Sequence, residues 1–235
     1  MGKTVGLYIG HGVSTDGSWD YGCTWGPYSE AKLMKSIVVA AVHELHMYGV
    51  HVVTDAPGNG INMVKQVAKS NAKHVDLHVA VHCDYSRAPS GVMPLYVSGK
   101  GKKIAKCLEK RIKKEVKIKS RGCVRRKDLY ELNATNAPAV VLETGAIKAD
   151  IKHLKQSEVY GKAIAHGIMD YIGVKTEKKV KKNNKKKKEI YRIRKSWDDE
   201  KSQRGAYNNL TRAKNCMKKA GKGYHIYNSN GKKIM

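Results

Sequence analysis

The sequence predicts an α/β fold: a mostly parallel, twisted sheet with helices on both faces, plus a small α+β module of β-α-β pattern at the C-terminus. Three observations predict it. Thr4–Ile9, Leu77–Val81 and Pro138–Leu142 are short apolar runs rich in β-branched residues, the pattern of strands buried on both faces. Longer stretches with apolar residues at helical spacing lie between them. The charge then changes near residue 174: residues 1–173 carry 25 Lys/Arg against 15 Asp/Glu, whereas 174–235 carry 21 against 5. The expected divisions are a 1–173 domain, a Lys-rich 174–188 linker and a 189–235 module.

The elements follow in order. Thr4–Ile9 is a strand running into the turn Gly10-His11-Gly12, where flanking glycines let a ligand approach the backbone. Val13 to Pro27 is a long polar and aromatic loop, and loops of this length in compact domains are usually functional. Pro27-Tyr28-Ser29-Glu30 reads as a helix entry with Ser29 as N-cap. That helix runs to Tyr48, burying Leu33, Ile37, Val38, Ala41, Val42 and Leu45, and Gly49 stops it. Val50–Val53 is a second strand, and Ile61–Ala72 a second helix after the Pro57-Gly58-Asn59-Gly60 turn. Asp76–Val81 is the central strand and Val92–Val97 a further one, followed by a basic helix from Lys100 to Val116. Its cations are either a solvated face or a contact to an anionic polymer. Pro138–Leu142 is another strand, and a helix over 152–172 closes the domain.

Three polar residues stand where strands stop: His11, His82 and Glu143. In open α/β sheets ligands bind beyond the carboxyl ends of the strands, so these three are expected to converge, with Glu30 joining from the start of the first helix. Two histidines and a glutamate suit zinc, and a second glutamate remains to act as base. Each residue alone also has a plain reading, His11 as a turn residue and Glu30 as a complement to the helix dipole. His78 reads as a core histidine, and His43, His46 and His51 as ordinary helix or strand residues.

Cys23, Cys83, Cys107, Cys123 and Cys216 are odd in number and show no C-x-x-C spacing. They argue against a disulfide framework or a cysteine metal site, and fit synthesis in a reducing cytosol. Cys83 reads as a buried thiol rather than a nucleophile, because no base is indicated beside it. No signal peptide and no apolar span of membrane length is evident. Cytoplasmic synthesis is expected, and an extracellular target would require release by another route. The net charge of +26 calls for an anionic polymer as partner. The Lys-dominated 174–188 stretch is expected to be a self-repelling linker. In the module, Tyr191–Arg194 and Gly223–Tyr227 read as strands, Ala206–Ala220 as a helix, and Asn230-Gly231 as a turn. A unit this small is marginal alone, which points to docking or homo-oligomers. Trp197 and the tyrosines either form its core or bind glycans.

The stretch Arg121-Gly122-Cys123-Val124, then Leu129-Tyr130-Glu131-Leu132, then Pro138-Ala139-Val140-Val141-Leu142-Glu143-Thr144-Gly145 with Asp150 beyond it, carries a resemblance. Together with Gly10-His11-Gly12, Glu30 and His82, it resembles the zinc-dependent N-acetylmuramoyl-L-alanine amidases used as phage endolysins and bacterial autolysins. The resemblance covers about residues 3–173. It implies Zn2+ held by His11, Glu30 and His82, with Glu143 as the catalytic carboxylate, and bacterial peptidoglycan as substrate. Two departures concern the substrate pocket: His82-Cys83-Asp84 replaces a family pattern of small residue and Asn, and Gly145-Ala146 replaces a common G-F pair. The 189–235 module looks like short modules appended to phage lysins.

The implied reaction is hydrolysis of the amide between N-acetylmuramic acid and L-alanine by zinc-activated water, with Glu143 moving the proton. An endolysin is favoured over a host autolysin or sporulation amidase, and the basic region would target anionic wall polymers. A rival from another class is a basic nucleic-acid- or wall-binding protein without activity. It leaves the four converging residues unexplained, and no specific nucleic acid is expected.

Overall fold

The chain is seen in a computed structural model that describes residues 2–176, 189–229 and 231–235. It divides into two compact units, residues 1–177 and 178–235. In the first, six strands form one sheet: β1 (Thr4–Ile9), β2 (His51–Thr54), β3 (Leu77–Asp84), β4 (Met93–Tyr96), β5 (Val124–Arg125) and β6 (Ala139–Ala146). Their order is β2-β1-β3-β6-β4-β5. All pairings are parallel except that of β4 with β6.

The helices are α1 (Glu30–Met47), α2 (Met63–Ala72), α3 (Gly99–Val116), α4 (Tyr130–Ala134), α5 (Ile151–Leu154) and α6 (Ser157–Ile172). Strand periodicity sorts the sheet residues between two unequal layers. Val5, Leu7, Val79, Val81, Val140 and Leu142 pack against Ile37 and Leu45 of α1, Ile104 and Leu108 of α3 and Ile164 of α6. On the opposite face Ala80, Ala139 and Val141 pack against Leu132 of the five-residue α4, and Tyr8 against Val53 and Val75. His82 and Glu143 share this second, thinner face by alternation with Ala80 and Val141. Short elements leave the carboxyl end of that face open.

The structure refines several sequence expectations. β3 continues to Asp84 and β6 to Ala146, so His82 and Glu143 lie within their strands rather than past them. Pairing carries on because Glu143 is in register with His82, and Ala146 with Asp84 after a register shift. The long loop holds two small antiparallel pairings, Gly12–Val13 with Trp19–Asp20 and Thr24–Trp25 with Tyr28–Ser29. Ser29 occupies the N-cap of α1, but its hydroxyl makes no capping bond. Loop carbonyls replace it, Cys23 O accepting from Glu30 N and Tyr21 O from Ala31 N. α2 starts two residues later than expected because Asn62 caps it, accepting from Lys65 N.

The second unit contains β7 (Tyr191–Arg194), β8 (Gly205–Tyr207), α7 (Leu210–Ala220) and β9 (His225–Tyr227). The strands order as β8-β7-β9, antiparallel throughout. The pattern is thus β-β-α-β rather than β-α-β. Asn209 caps α7 by accepting from Arg212 N, which leaves Ala206 and Tyr207 to the strand. Ile193, Ala213, Tyr224 and Ile226 form the core; Trp197 lies outside this cluster, with the Arg194 guanidinium 5.3 Å from its ring. Residues 177–188, most of the expected linker, and Asn230 of the expected turn lie outside the described residues. Among the described residues no helix is long and apolar enough to cross a membrane.

Candidate metal centre and catalytic carboxylate

Four sequence-predicted residues come together at the open end of the thinner face. Glu30, 3% exposed, opens α1 and places its carboxylate between two imidazoles. Its Oε1 is 3.0 Å from His82 Nδ1 and its Oε2 3.3 Å from His11 Nε2. One donor atom from each of the three residues lies within 4.8 Å of the others. His43, His46 and His51 stay in helix or strand positions away from this cluster.

The backbone explains how the cluster is held. His11 lies two residues past the end of β1 and has φ 66°, a left-handed conformation that a residue with a Cβ adopts at a cost. Asp20 Oδ2 lies 2.7 Å from His11 Nδ1, which turns Nε2 towards Glu30. Backbone N–H groups of Cys23 and Cys83 donate to Glu30 Oε2 and Oε1 at 3.0 and 2.9 Å. Gly22, at φ 63°, has no room for a side chain, because a Cβ there would meet Glu30 Oε2 and His11 Cδ2 at 2.6 Å. Gly10 is pressed equally close to the His82 ring, 2.6 Å from where its Cβ would stand.

The electrostatics are those of a site built for a cation. Burial pushes the Glu30 pKa up, but the His82 hydrogen bond and the charges of both histidines overcome it, leaving Glu30 below its ordinary value. Burial lowers that of His82, yet the Glu30 hydrogen bond and the charges of Glu131, Glu30 and Glu143 carry it up to about 9. The donor set of two imidazoles and one carboxylate, with two further carboxylates nearby, fits a divalent ion of the zinc type.

Glu143 stands opposite His82 in the β3–β6 register. Burial raises its pKa to about 7, with His82 opposing and Glu30 and Asp84 assisting. Its Oε2 is buried with no hydrogen-bond partner among the described residues. A carboxyl group poised near neutrality is suited to taking and returning a proton.

A family model described as N-acetylmuramoyl-L-alanine amidase matches residues 5–173. The chain belongs to this family. Among solved structures it is similar to Cwp6 from Clostridium difficile, at 28% identity and a TM-score of 0.67. That match covers 73% of this chain and 29% of the Cwp6 chain. The amidase AmiC2 of Nostoc punctiforme matches at 22% identity and a TM-score of 0.65, over 73% of this chain and 97% of that one. The catalytic domain of the CD27L endolysin, described as targeting Clostridia Difficile, matches at 22% and 0.62, over 72% and 97%. The last two establish the shared fold. No match was found among curated proteins.

In this amidase-family domain three residues near the site were not singled out as site residues from the sequence. Asp20 is one. Gln66 is another: buried at the start of α2, it donates to Ile9 O and Ile61 O at 2.8 Å and so fixes the end of β1. The third is Glu131 on α4, 7% exposed, whose Oε1 has no partner among the described residues. Burial raises its pKa against the pull of His82 and His11. A cavity of about 220 Å³ is lined by His11, Asp20, Asn62, Gln66, His82 and Glu131. The one hint of Glu131 along the chain is an acid between Tyr130 and Leu132 in a short apolar turn. Asp150, part of the sequence resemblance, serves the architecture. It accepts from Ser90 Oγ, Gly91 N and Ala146 N and ties the end of β6 to the loop before β4.

Proposed function

We propose that residues 1–173 hydrolyse the amide between the lactyl group of N-acetylmuramic acid and L-alanine in peptidoglycan, with a zinc ion held by His11, Glu30 and His82. Zinc bound there would supply a Lewis acid that acidifies a water and polarises the scissile carbonyl. Glu143 takes the proton of the attacking water at its unpartnered Oε2 and returns it to the departing amine of L-alanine. Its raised pKa keeps both protonation states accessible near neutrality. Asp20 holds the His11 tautomer, and the Cys23 and Cys83 amides hold the Glu30 carboxylate.

The observation that carries this reading is the buried, unpartnered Glu143 in register with His82 beside the His-Glu-His cluster. Mass spectrometry of digested peptidoglycan tests it, with Glu143→Gln as control. Free peptides beginning at L-alanine, absent with the variant, are expected. Cuts elsewhere in the stem would replace the specificity, and equal release by the variant would remove Glu143 as base.

We further propose an endolysin role, with cytoplasmic synthesis, release to the wall, and anchoring of the basic second unit to anionic wall polymers. The likeness to the CD27L catalytic domain and the charge of residues 174–235 support it. Full-chain protein should bind native walls and lose binding on walls stripped of phosphate polymers. Undiminished binding to stripped walls would refute the anchoring.

A further inference from the structure

Two cysteines whose thiols have no part in the proposed hydrolysis lie directly behind the candidate metal cluster. Cys23 comes from the loop before α1 and Cys83 follows His82 in β3, sixty residues away in sequence. Their sulfurs are 3.7 Å apart and both are free thiols. Cys23 Sγ also lies 3.4 Å from Asp84 O. Cys83 is 4% exposed whereas Cys23 is partly open, so a small reagent reaches Cys23 first. Each cysteine donates its own backbone N–H to one oxygen of Glu30. The sulfurs and the carboxylate are therefore linked through two peptide units.

We propose that Cys23 and Cys83 form a redox-active dithiol, oxidised to an internal disulfide by low-molecular-weight disulfides of the glutathione class. Cys23 sulfur attacks one sulfur of the oxidant, forming a mixed disulfide and releasing one thiol. Cys83 sulfur then attacks Cys23 sulfur and releases the second thiol. The two cysteine protons leave with the two released thiols, and the oxidant takes up the two electrons. Closing the bond brings the sulfurs from 3.7 Å to about 2.05 Å, which draws the Cys23 and Cys83 peptides together. The N–H groups that hold Glu30 move with them, so the disulfide weakens metal binding at His11, Glu30 and His82. That coupling rests on the metal reading above; the disulfide itself does not.

The test uses full-chain protein, reduced, loaded with zinc, then exposed to oxidised glutathione. After alkylation and trypsin without reduction, peptide 4–32 is expected linked to peptide 74–87, at their summed mass less two hydrogens. Zinc affinity should fall about 10- to 100-fold, the range for disturbed supporting contacts of a metal site, and dithiothreitol should restore it. Cys23→Ser should abolish the link while still binding zinc; Cys23→Ala provides the same control if serine disturbs the fold. Separate alkylation or glutathionylation of Cys23 and Cys83, with no linked peptide, overturns the dithiol. A link that leaves zinc affinity unchanged overturns the coupling. A link formed in protein that never binds zinc sinks the metal reading and leaves the dithiol standing.

Discussion

Acidification should destabilise the first unit through His78, a residue outside the proposed chemistry. His78 is completely buried, its Nδ1 lies 2.9 Å from Ser70 Oγ, and its ring stacks on Tyr8 at 5.0 Å. Its Nε2 has no partner among the described residues, so a second proton there meets no acceptor. Burial lowers its pKa from 6.5 to about 4. Between those values the unfolded chain binds a proton that the folded chain refuses, so stability falls as pH falls through this window. A window about 2.5 pH wide, at ~1.36 kcal/mol for each pH unit, gives a loss of about 3 kcal/mol by pH 4, a large part of a typical domain's stability. The assay is urea unfolding of wild type and His78→Asn between pH 7 and 4, followed by circular dichroism. The stability advantage of wild type over the variant should shrink by about 3 kcal/mol. A pH-independent difference, or an NMR titration of His78 near 6.5, would refute this reasoning.

The other predictions concern the candidate metal cluster. Adding zinc to chelator-treated protein should raise Tm; saturation at ~100 times Kd contributes about 2.7 kcal/mol, or about 5–10 °C for a chain this size. His11→Ala and His82→Ala should lose that shift, and an undiminished shift would remove them as ligands. Glu143→Gln should keep one zinc per chain while kcat falls about 10²- to 10⁴-fold, the usual contribution of a general base; zinc loss alongside activity would make it a ligand instead. Asp20→Ala should weaken zinc binding about 10- to 100-fold, and Asp20→Asn, which keeps an acceptor for His11, should recover part of it in a zinc titration. Gly22→Ala forces a Cβ within 2.6 Å of Glu30 Oε2 and should lower zinc affinity without unfolding the chain; wild-type affinity would show that the loop yields.

Five of the six strands of the main sheet and the residues of the candidate site were legible in the sequence because both signals are local. β-branched runs mark buried strands wherever they occur, and His11, His82 and Glu143 each stand at or near the end of such a run. The helical stripe of Ile37, Val38, Ala41 and Leu45 likewise declares its buried face from spacing alone. Tertiary structure decided what depends on pairing between distant segments. The β3–β6 register puts Glu143 opposite His82, and it extends both strands past the residues where the apolar runs end. Loop carbonyls of Cys23 and Tyr21 cap α1 in place of Ser29, which fixes where the Glu30 carboxylate stands. Asp20 reaches His11 because the loop folds back to pair Trp19–Asp20 with Gly12–Val13. Glu131 sits on a five-residue helix, too short for periodicity to reveal its buried side. Cys23 and Cys83 meet where their backbone N–H groups bind the same carboxylate, a proximity that no spacing along the chain encodes.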